Sequence, residues 1–197
     1  MLAIFWTLYF TLHSLLATSW LKNAAARHLP GLFRFYRLAY NQTSVWLLLL
    51  IYHYQAQLPE VWLMPPNQLL FGVGIALLLG GVLLAVAALR GYDLGEFLGW
   101  AYVRRGADAA HTTLNTSSLN ALVRHPLYLG LLLGLLGYLL LAPTTARATF
   151  VGCTLAYLLL GTRLEERKLV RQFGAAYLRY QARVPRLLPT SPRQWFR

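Results

Sequence analysis

The 197-residue chain sets 18 Lys and Arg against six Asp and Glu, a formal net charge of +12, yet only 12% of its residues are charged and 57% are hydrophobic. Soluble domains carry about 25% charged residues, so this composition, with a mean hydropathy of +0.47, excludes an ordinary soluble globule: so short a chain cannot cover that many uniformly apolar helices. The single cysteine, Cys153, lies in an apolar run and excludes a disulfide framework or a Cys-based metal site.

Leu2 to Leu21 contains no Asp, Glu, Lys or Arg, and about 20 apolar residues suffice for a helix to cross the hydrocarbon core. No basic stretch precedes this run, so it is expected to be a retained span rather than a cleaved signal. His13 sits mid-span, where it either hydrogen-bonds within a helix bundle or lines a substrate route. A second span is expected over 43–58, its apolar Val45 to Ile51 giving way to Tyr52-His53-Tyr54-Gln55 at an interface, and Pro59 and Pro65-Pro66 punctuate the loop beyond. The third span, 68–89, lies in the charge-free run from Asn67 to Leu89. Pro126 stands where a helix starts, a position that tolerates its missing N–H, and it opens a fourth span over 126–142. Pro143 closes that span, and a fifth over 148–163 completes a tight hairpin. Beyond Arg163, the residues Val170, Phe173, Tyr177, Tyr180 and Val184 recur at spacings of three and four. That spacing predicts an amphipathic helix, either carried into the protein or lying on lipid headgroups.

The placement of charge decides between nucleic acid and membrane topology. Seventeen of the 18 basic residues fall in Lys22 to Gln42, in Arg90 to Arg124 or from Arg163 onward; only Arg147, in the hairpin turn, lies on the other side. This is the positive-inside pattern, with an expected attraction to anionic lipid headgroups; no nucleic-acid partner is expected. The expected fold is all-α and integral to the membrane. It has five transmembrane helices, the N-terminus outside, the C-terminus cytoplasmic and an amphipathic C-terminal helix. A single domain over 1–197 divides into three N-terminal spans (1–90), a cytoplasmic loop (91–125), the hairpin (126–163) and the tail (164–197).

Both free ends of the hairpin then meet at the cytoplasmic surface, bringing Arg124-His125-Pro126-Leu127-Tyr128 toward Arg163 and Glu165-Glu166. Backbone donors at a helix start beside an Arg suit a carboxylate ligand. The plainer alternative makes Arg124 a headgroup contact, His125 a cap and Tyr128 an interfacial anchor. Adjacent carboxylates at a span's end are costly unless solvated or paired, and Arg163 is spaced for an intrahelical pair with Glu166. The five histidines are too dispersed to mark a metal site.

Taken jointly, Arg124-His125-Pro126-Leu127-Tyr128, the hairpin, Glu165-Glu166-Arg167-Lys168-Leu169, Phe173-Gly174-Ala175-Ala176-Tyr177 and Val184-Pro185-Arg186 resemble the isoprenylcysteine carboxyl methyltransferase and phospholipid methyltransferase superfamily. The resemblance covers about residues 111–189. Leu12-His13-Ser14-Leu15-Leu16-Ala17, Tyr36-Arg37, Tyr40-Asn41 and Asp93-Leu94 resemble its NnrU-like branch, which includes methanethiol S-methyltransferase. The resemblance implies a bacterial inner-membrane enzyme that binds S-adenosyl-L-methionine in a cytoplasm-facing pocket, with a hydrophobic or lipid-like methyl acceptor. The implied cofactor residues are Thr112, Leu114, Asn115, Arg124, His125, Pro126, Leu127, Tyr128, Glu165 and Glu166; Arg163 and His13 are the candidate catalytic side chains. Two positions depart from the family pattern. Asn120 replaces a usual Tyr, and Gly161 stands where prenylcysteine enzymes carry a substrate-binding Arg. A carboxylate in a lipid-facing pocket needs a cationic partner, whereas a thiol does not. The expectation is therefore S-methylation of a small or lipophilic thiol, with carboxyl or phospholipid N-methylation and a non-catalytic membrane protein as the alternatives.

Overall fold

The computed structural model describes residues 1–91, 95, 100–105 and 114–189. Among these residues every regular element is a helix, and the sole β-type pairing is an isolated antiparallel bridge between Trp62 and Thr144. The all-α expectation therefore holds.

Helix α1 (Leu2–Ala17) stops where Thr18 turns extended, at φ −66° and ψ 145°. The Thr18 hydroxyl donates to the Leu15 carbonyl at 2.7 Å and accepts from the Leu21 amide at 3.4 Å. One side chain thus closes one helix and caps the next. Helix α2 (Ser19–His28) departs at a bend of 59°, so the uninterrupted run expected over 2–21 is broken at Thr18. A 3-10 turn (Phe33–Phe35) leads into α3 (Tyr36–Ala56). Helix α4 (Gln68–Leu89) opens on Asn67, whose Oδ1 accepts from the amides of Leu69 and Leu70 at 2.9 and 3.1 Å. The short helices α5 (Trp100–Arg105) and α6 (Leu119–Leu122) precede α7 (Pro126–Leu141), α8 (Thr145–Phe173) and α9 (Ala175–Arg183).

Among the described residues, α4 is long and apolar enough to cross a membrane unaided, and α1 with α2 passes as a bent pair. Helix α7 is apolar but shorter, at 16 residues. Helix α8 does not end near Arg163 as expected; it runs 29 residues in all, to Phe173, placing Glu165 and Glu166 inside a continuous helix. It stops at Gly174, whose φ of +54° is a conformation that costs little only for glycine. The stripe read as one amphipathic helix is therefore shared between α8 and α9. Its residues still converge: Tyr177, Tyr180 and Val184 are buried, with Leu114, Leu169, Val170 and Phe173 packed against them. The stripe docks onto the protein.

The main helix contact, between α4 and α7, is built on absent side chains. A Cβ added at Gly81 would lie 2.5 Å from the Gly130 carbonyl oxygen, and one at Gly137 would lie 2.6 Å from that of Gly74. Small residues let two backbones touch where apolar side chains gain little from leaving lipid. Beside this seam lies an apolar cavity of about 380 Å³, whose walls include Trp6, Leu78, Leu131, Tyr138 and Phe150.

The bundle's two ends differ. At one, the Leu63 amide donates to the Pro143 carbonyl and the Thr145 amide to the Val61 carbonyl, both at 2.8 Å. This clasps the loop after α3 to the α7–α8 turn. Arg147, the basic residue at this end, lays its guanidinium 4.5 Å from the Tyr138 ring centroid and donates to the Tyr138 carbonyl at 3.0 Å. The opposite end gathers Arg124, the far half of α8 and α9.

Candidate active site

The site begins at the start of α7. Pro126 occupies the first turn, and His125 precedes it without a side-chain capping hydrogen bond. The ring of His125 turns instead toward α8. It is 4% exposed, with Nε2 3.1 Å from Glu166 Oε1 and Nδ1 3.7 Å from Glu165 Oε2. One imidazole therefore bridges two neighbouring carboxylates.

Glu166 is the hub. Arg124 grips it in a fork, Nε to Oε1 at 2.7 Å and Nη2 to Oε2 at 3.0 Å. Tyr177 donates its hydroxyl to Oε1 at 3.3 Å, and the Gln181 amide nitrogen donates to Oε2 at 3.0 Å. The remaining Arg124 nitrogen, Nη1, donates to the carbonyls of Gln181 and Val184 at 3.1 and 2.6 Å. Bidentate charge-assisted bonds of this kind are among the strongest available to side chains. Burial pushes the Glu166 carboxyl upward, but the hydrogen bond and charge of Arg124, joined by His125, outweigh it and leave Glu166 below its ordinary value. Burial and then the Glu166 charge push the Tyr177 phenol upward, so it stays protonated and donates. The Arg163–Glu166 pair that the spacing allows does not form; Arg124, from the start of α7, holds the carboxylate instead.

The backbone completes the joint. The Arg124 amide donates to the Pro185 carbonyl at 2.9 Å and the His125 amide to the Arg186 carbonyl at 3.1 Å. Tyr180 donates to the Asn120 carbonyl at 2.6 Å. Three stretches, 120–125, 165–166 and 177–186, are thereby fixed together.

Of the residues singled out from sequence, Arg124, His125, Glu165 and Glu166 are brought together. Pro126 is buried, Leu127 is half-buried, and the Tyr128 ring stands edge-on to His125 with centroids 5.5 Å apart. Leu114 packs against the Tyr177 cluster. Asn115 folds a local turn, its Oδ1 accepting from the Ser117 amide and hydroxyl at 3.1 and 3.0 Å. Thr112 and the Asp93-Leu94 pair lie outside the described residues. Arg163 is exposed and lines an open groove on the outer side of α8. His13 belongs to a separate network: Tyr40 lies 2.7 Å from its Nε2 and Ser44 3.0 Å from its Nδ1. No hydrogen bond, ion pair or ring contact among the described residues joins it to His125 or Glu165. Tyr177 and Gln181 are partners of Glu166 that the sequence reading did not assign; the available signal was Gln181 standing four residues after a stripe tyrosine.

The set leaves one anionic position open to a cationic ligand. Glu166 is saturated by protein donors, whereas Glu165 is 39% exposed with one distant partner at 3.7 Å. It is a carboxylate with acceptor capacity left, beside an imidazole edge and a phenol ring. Gly161, one turn before Glu165, faces open space, with nothing within 4 Å of an added Cβ.

Among the described residues the fold is a largely apolar helical bundle with a dense polar cluster where the α7–α8 hairpin meets α9. The curated relatives make the assignment specific. The chain is 33% identical over 185 residues to methanethiol S-methyltransferase 2 of Bradyrhizobium diazoefficiens, a match covering 90% of this chain and 68% of that one. It is 36% identical over 86 residues to methanethiol S-methyltransferase of Pseudomonas deceptionensis, covering 44% of this chain and 32% of that protein. Methanethiol S-methyltransferase 1 of B. diazoefficiens matches at 36% over 86 residues, 43% of this chain and 29% of that one. The chain belongs to the methanethiol S-methyltransferase family. No protein-family model matches it, and no solved structure does so significantly.

Proposed function

We propose that this protein is an S-adenosylmethionine-dependent membrane methyltransferase whose acceptor is a small or lipophilic thiol. The observation that carries the reading is a part-exposed carboxylate, Glu165, one turn after Gly161, a glycine that faces open space and offers no cation to a carboxylate acceptor, on the helix that also carries the saturated Glu166 hub. The relatives' activity, methyl transfer to methanethiol by name, supports the thiol acceptor. In the same proposal the five apolar segments span the bacterial inner membrane, with the N-terminus outside and the Glu166 end in the cytoplasm. The clasped end, which carries one basic residue, then faces outward, as positive-inside sorting favours.

His125, Leu127, Tyr128 and Glu165 would hold the cofactor, with Leu114 and Asn115 alongside; Arg124, Glu166, Tyr177 and Gln181 would fix the frame that aims them. When bound, the cofactor supplies an electrophilic methyl group on a sulfonium. The protein's task is to hold the acceptor sulfur in line, about 3–3.5 Å from that carbon, and to keep water away. The nucleophile is the thiolate, so the acceptor's proton leaves to water at the cytoplasmic end before the new carbon–sulfur bond forms. Glu165 balances the positive charge brought in by the cofactor. His13, bonded through both ring nitrogens, would shape the acceptor's path through the aromatic chain Phe150, Trp6, Phe10 and Tyr157, whose neighbouring ring centroids stand 4.5–6.2 Å apart.

Radiolabelled methyl transfer in membranes, offered alkyl and aryl thiols beside farnesylcysteine, tests the assignment. Thiols should be methylated at least as well as the carboxylate, and Glu165→Ala should weaken cofactor binding about tenfold to a hundredfold, as loss of one charged hydrogen bond implies. Efficient methylation of farnesylcysteine with every thiol ignored would overturn the thiol reading. Unchanged cofactor affinity in Glu165→Ala would overturn the pocket.

A further inference from the structure

The hub leaves one strongly charged surface without a task. On the outer side of α8 an open groove of about 670 Å³ is lined by Arg163, Arg167, Arg171 and Arg186, with Leu164 and Gln181 among the other walls. Arg163, Arg167 and Arg171 repeat every four residues along one face, and all three are exposed. The carboxylate in this lining is Glu166, and the Arg124 fork already pairs with it. None of the four guanidiniums makes a side-chain hydrogen bond or ion pair within the described residues. Four like charges around one hollow repel each other and disfavour the compact state unless an anion sits among them.

The hollow does not suit a sulfonium donor, which the arginines would repel. It suits a phosphate group, for which guanidinium forks are the preferred partner. Just before it on α8, Leu160 and Leu164 are 58% and 62% exposed, and they share a face with Arg167 and Arg171 at spacings of four, three and four. An apolar ridge thus runs directly into a basic cradle.

We infer that this groove is a binding site for an anionic glycerophospholipid, with the phosphate among Arg163, Arg167, Arg171 and Arg186 and an acyl chain along Leu160 and Leu164. The lipid braces α8 against the tail segment that carries Arg186, whose carbonyl accepts from the His125 amide. The inference rests on the membrane placement of α8 proposed above and is independent of methyl transfer.

Short-chain phosphatidylglycerol, short-chain phosphatidylcholine and inorganic phosphate, each titrated into the purified full-length protein in neutral detergent, test it by thermal shift and native mass spectrometry. Phosphatidylglycerol should bind at least tenfold more tightly than phosphatidylcholine. The Arg167→Gln/Arg171→Gln double variant, which leaves the Glu166 hub intact, should lose about tenfold or more of that affinity. Equal binding of the two lipids, or an unchanged affinity in the double variant, overturns the site. Inorganic phosphate that stabilises the protein as strongly as phosphatidylglycerol overturns the lipid assignment. Extraction of the wild-type protein from membranes by carbonate would overturn the membrane placement itself, an outcome distinct from these.

Discussion

The α4–α7 seam and the Glu166 hub solve the same problem, holding helices together in an apolar bundle, by opposite means. At the seam, side chains are missing and backbone meets backbone at Gly74, Gly81, Gly130 and Gly137. At the hub, two carboxylate oxygens take five hydrogen bonds from Arg124, His125, Tyr177 and Gln181. The seam joins two helices along their length and tolerates no added atom. The hub joins three stretches at a point and tolerates no lost atom. Substitutions should therefore fail in opposite directions at the two places.

The largest effect is expected at the hub. Glu166→Ala strands the Arg124 guanidinium, 10% exposed, without its partner. Removing one member of a buried pair typically costs about 3–5 kcal/mol, and the lower end applies here because the pair sits near the bundle's surface. Thermal unfolding in detergent measures it; a variant as stable as the parent would show that the fork is ornamental. Acid should act through the same residue. The folded carboxyl lies below its unfolded value, so its stabilisation is complete above the ordinary Glu range near about 4.3 and is lost as pH falls through the depressed folded value. Glu166→Gln should flatten that acid limb of the stability profile.

The seam comes next. Gly81→Ala forces a methyl against the backbone of Gly130 and Gly134, atoms that cannot swing aside, and overpacking of this kind costs about 1–3 kcal/mol. Gly152→Ala, with nothing within 4 Å of its Cβ, should instead gain about 0.5–1 kcal/mol from helix propensity. Equal shifts at the two glycines would dissolve the distinction. The smallest effect on folding is expected at Gly161→Arg, where the Cβ meets open space: stability within about 0.5 kcal/mol of the parent. Methyl transfer is the informative readout there, with preference moving toward a carboxylate acceptor or thiol turnover lost.

The two regions also differed in how far the sequence disclosed them. The apolar runs over 68–89 and 126–142 gave helices with those bounds to within a residue, because length and charge-free composition are local properties. The meeting of Arg124-His125 with Glu165-Glu166 followed from hairpin geometry. The partner of Glu166 did not: Arg163 is three residues away and Arg124 is 42, and only the fold decides that the distant fork is better placed. The tail stripe was legible while its break was not, since Tyr177 and Tyr180 keep their phase across Gly174. Thr18 was missed although Thr before Ser-Trp-Leu carries a capping signal, because the apolar run continues past it. The glycine seam was open to a spacing argument, with Gly74 and Gly81, and Gly130 and Gly137, each seven residues apart. Hydropathy is blind to it, for glycine barely alters the average.

The clasp between the α3–α4 loop and the α7–α8 turn has a mechanical consequence. Two backbone bonds of 2.8 Å, from Leu63 to Pro143 and from Thr145 to Val61, tie the far end of the hairpin to the rest of the bundle. A splaying of α8 away from α1 about this clasp would move the Glu165 end of the helix further than the Thr145 end. Two short backbone bonds at the end far from Glu165 thus set the distance between helix walls at the end where the chemistry is proposed to occur.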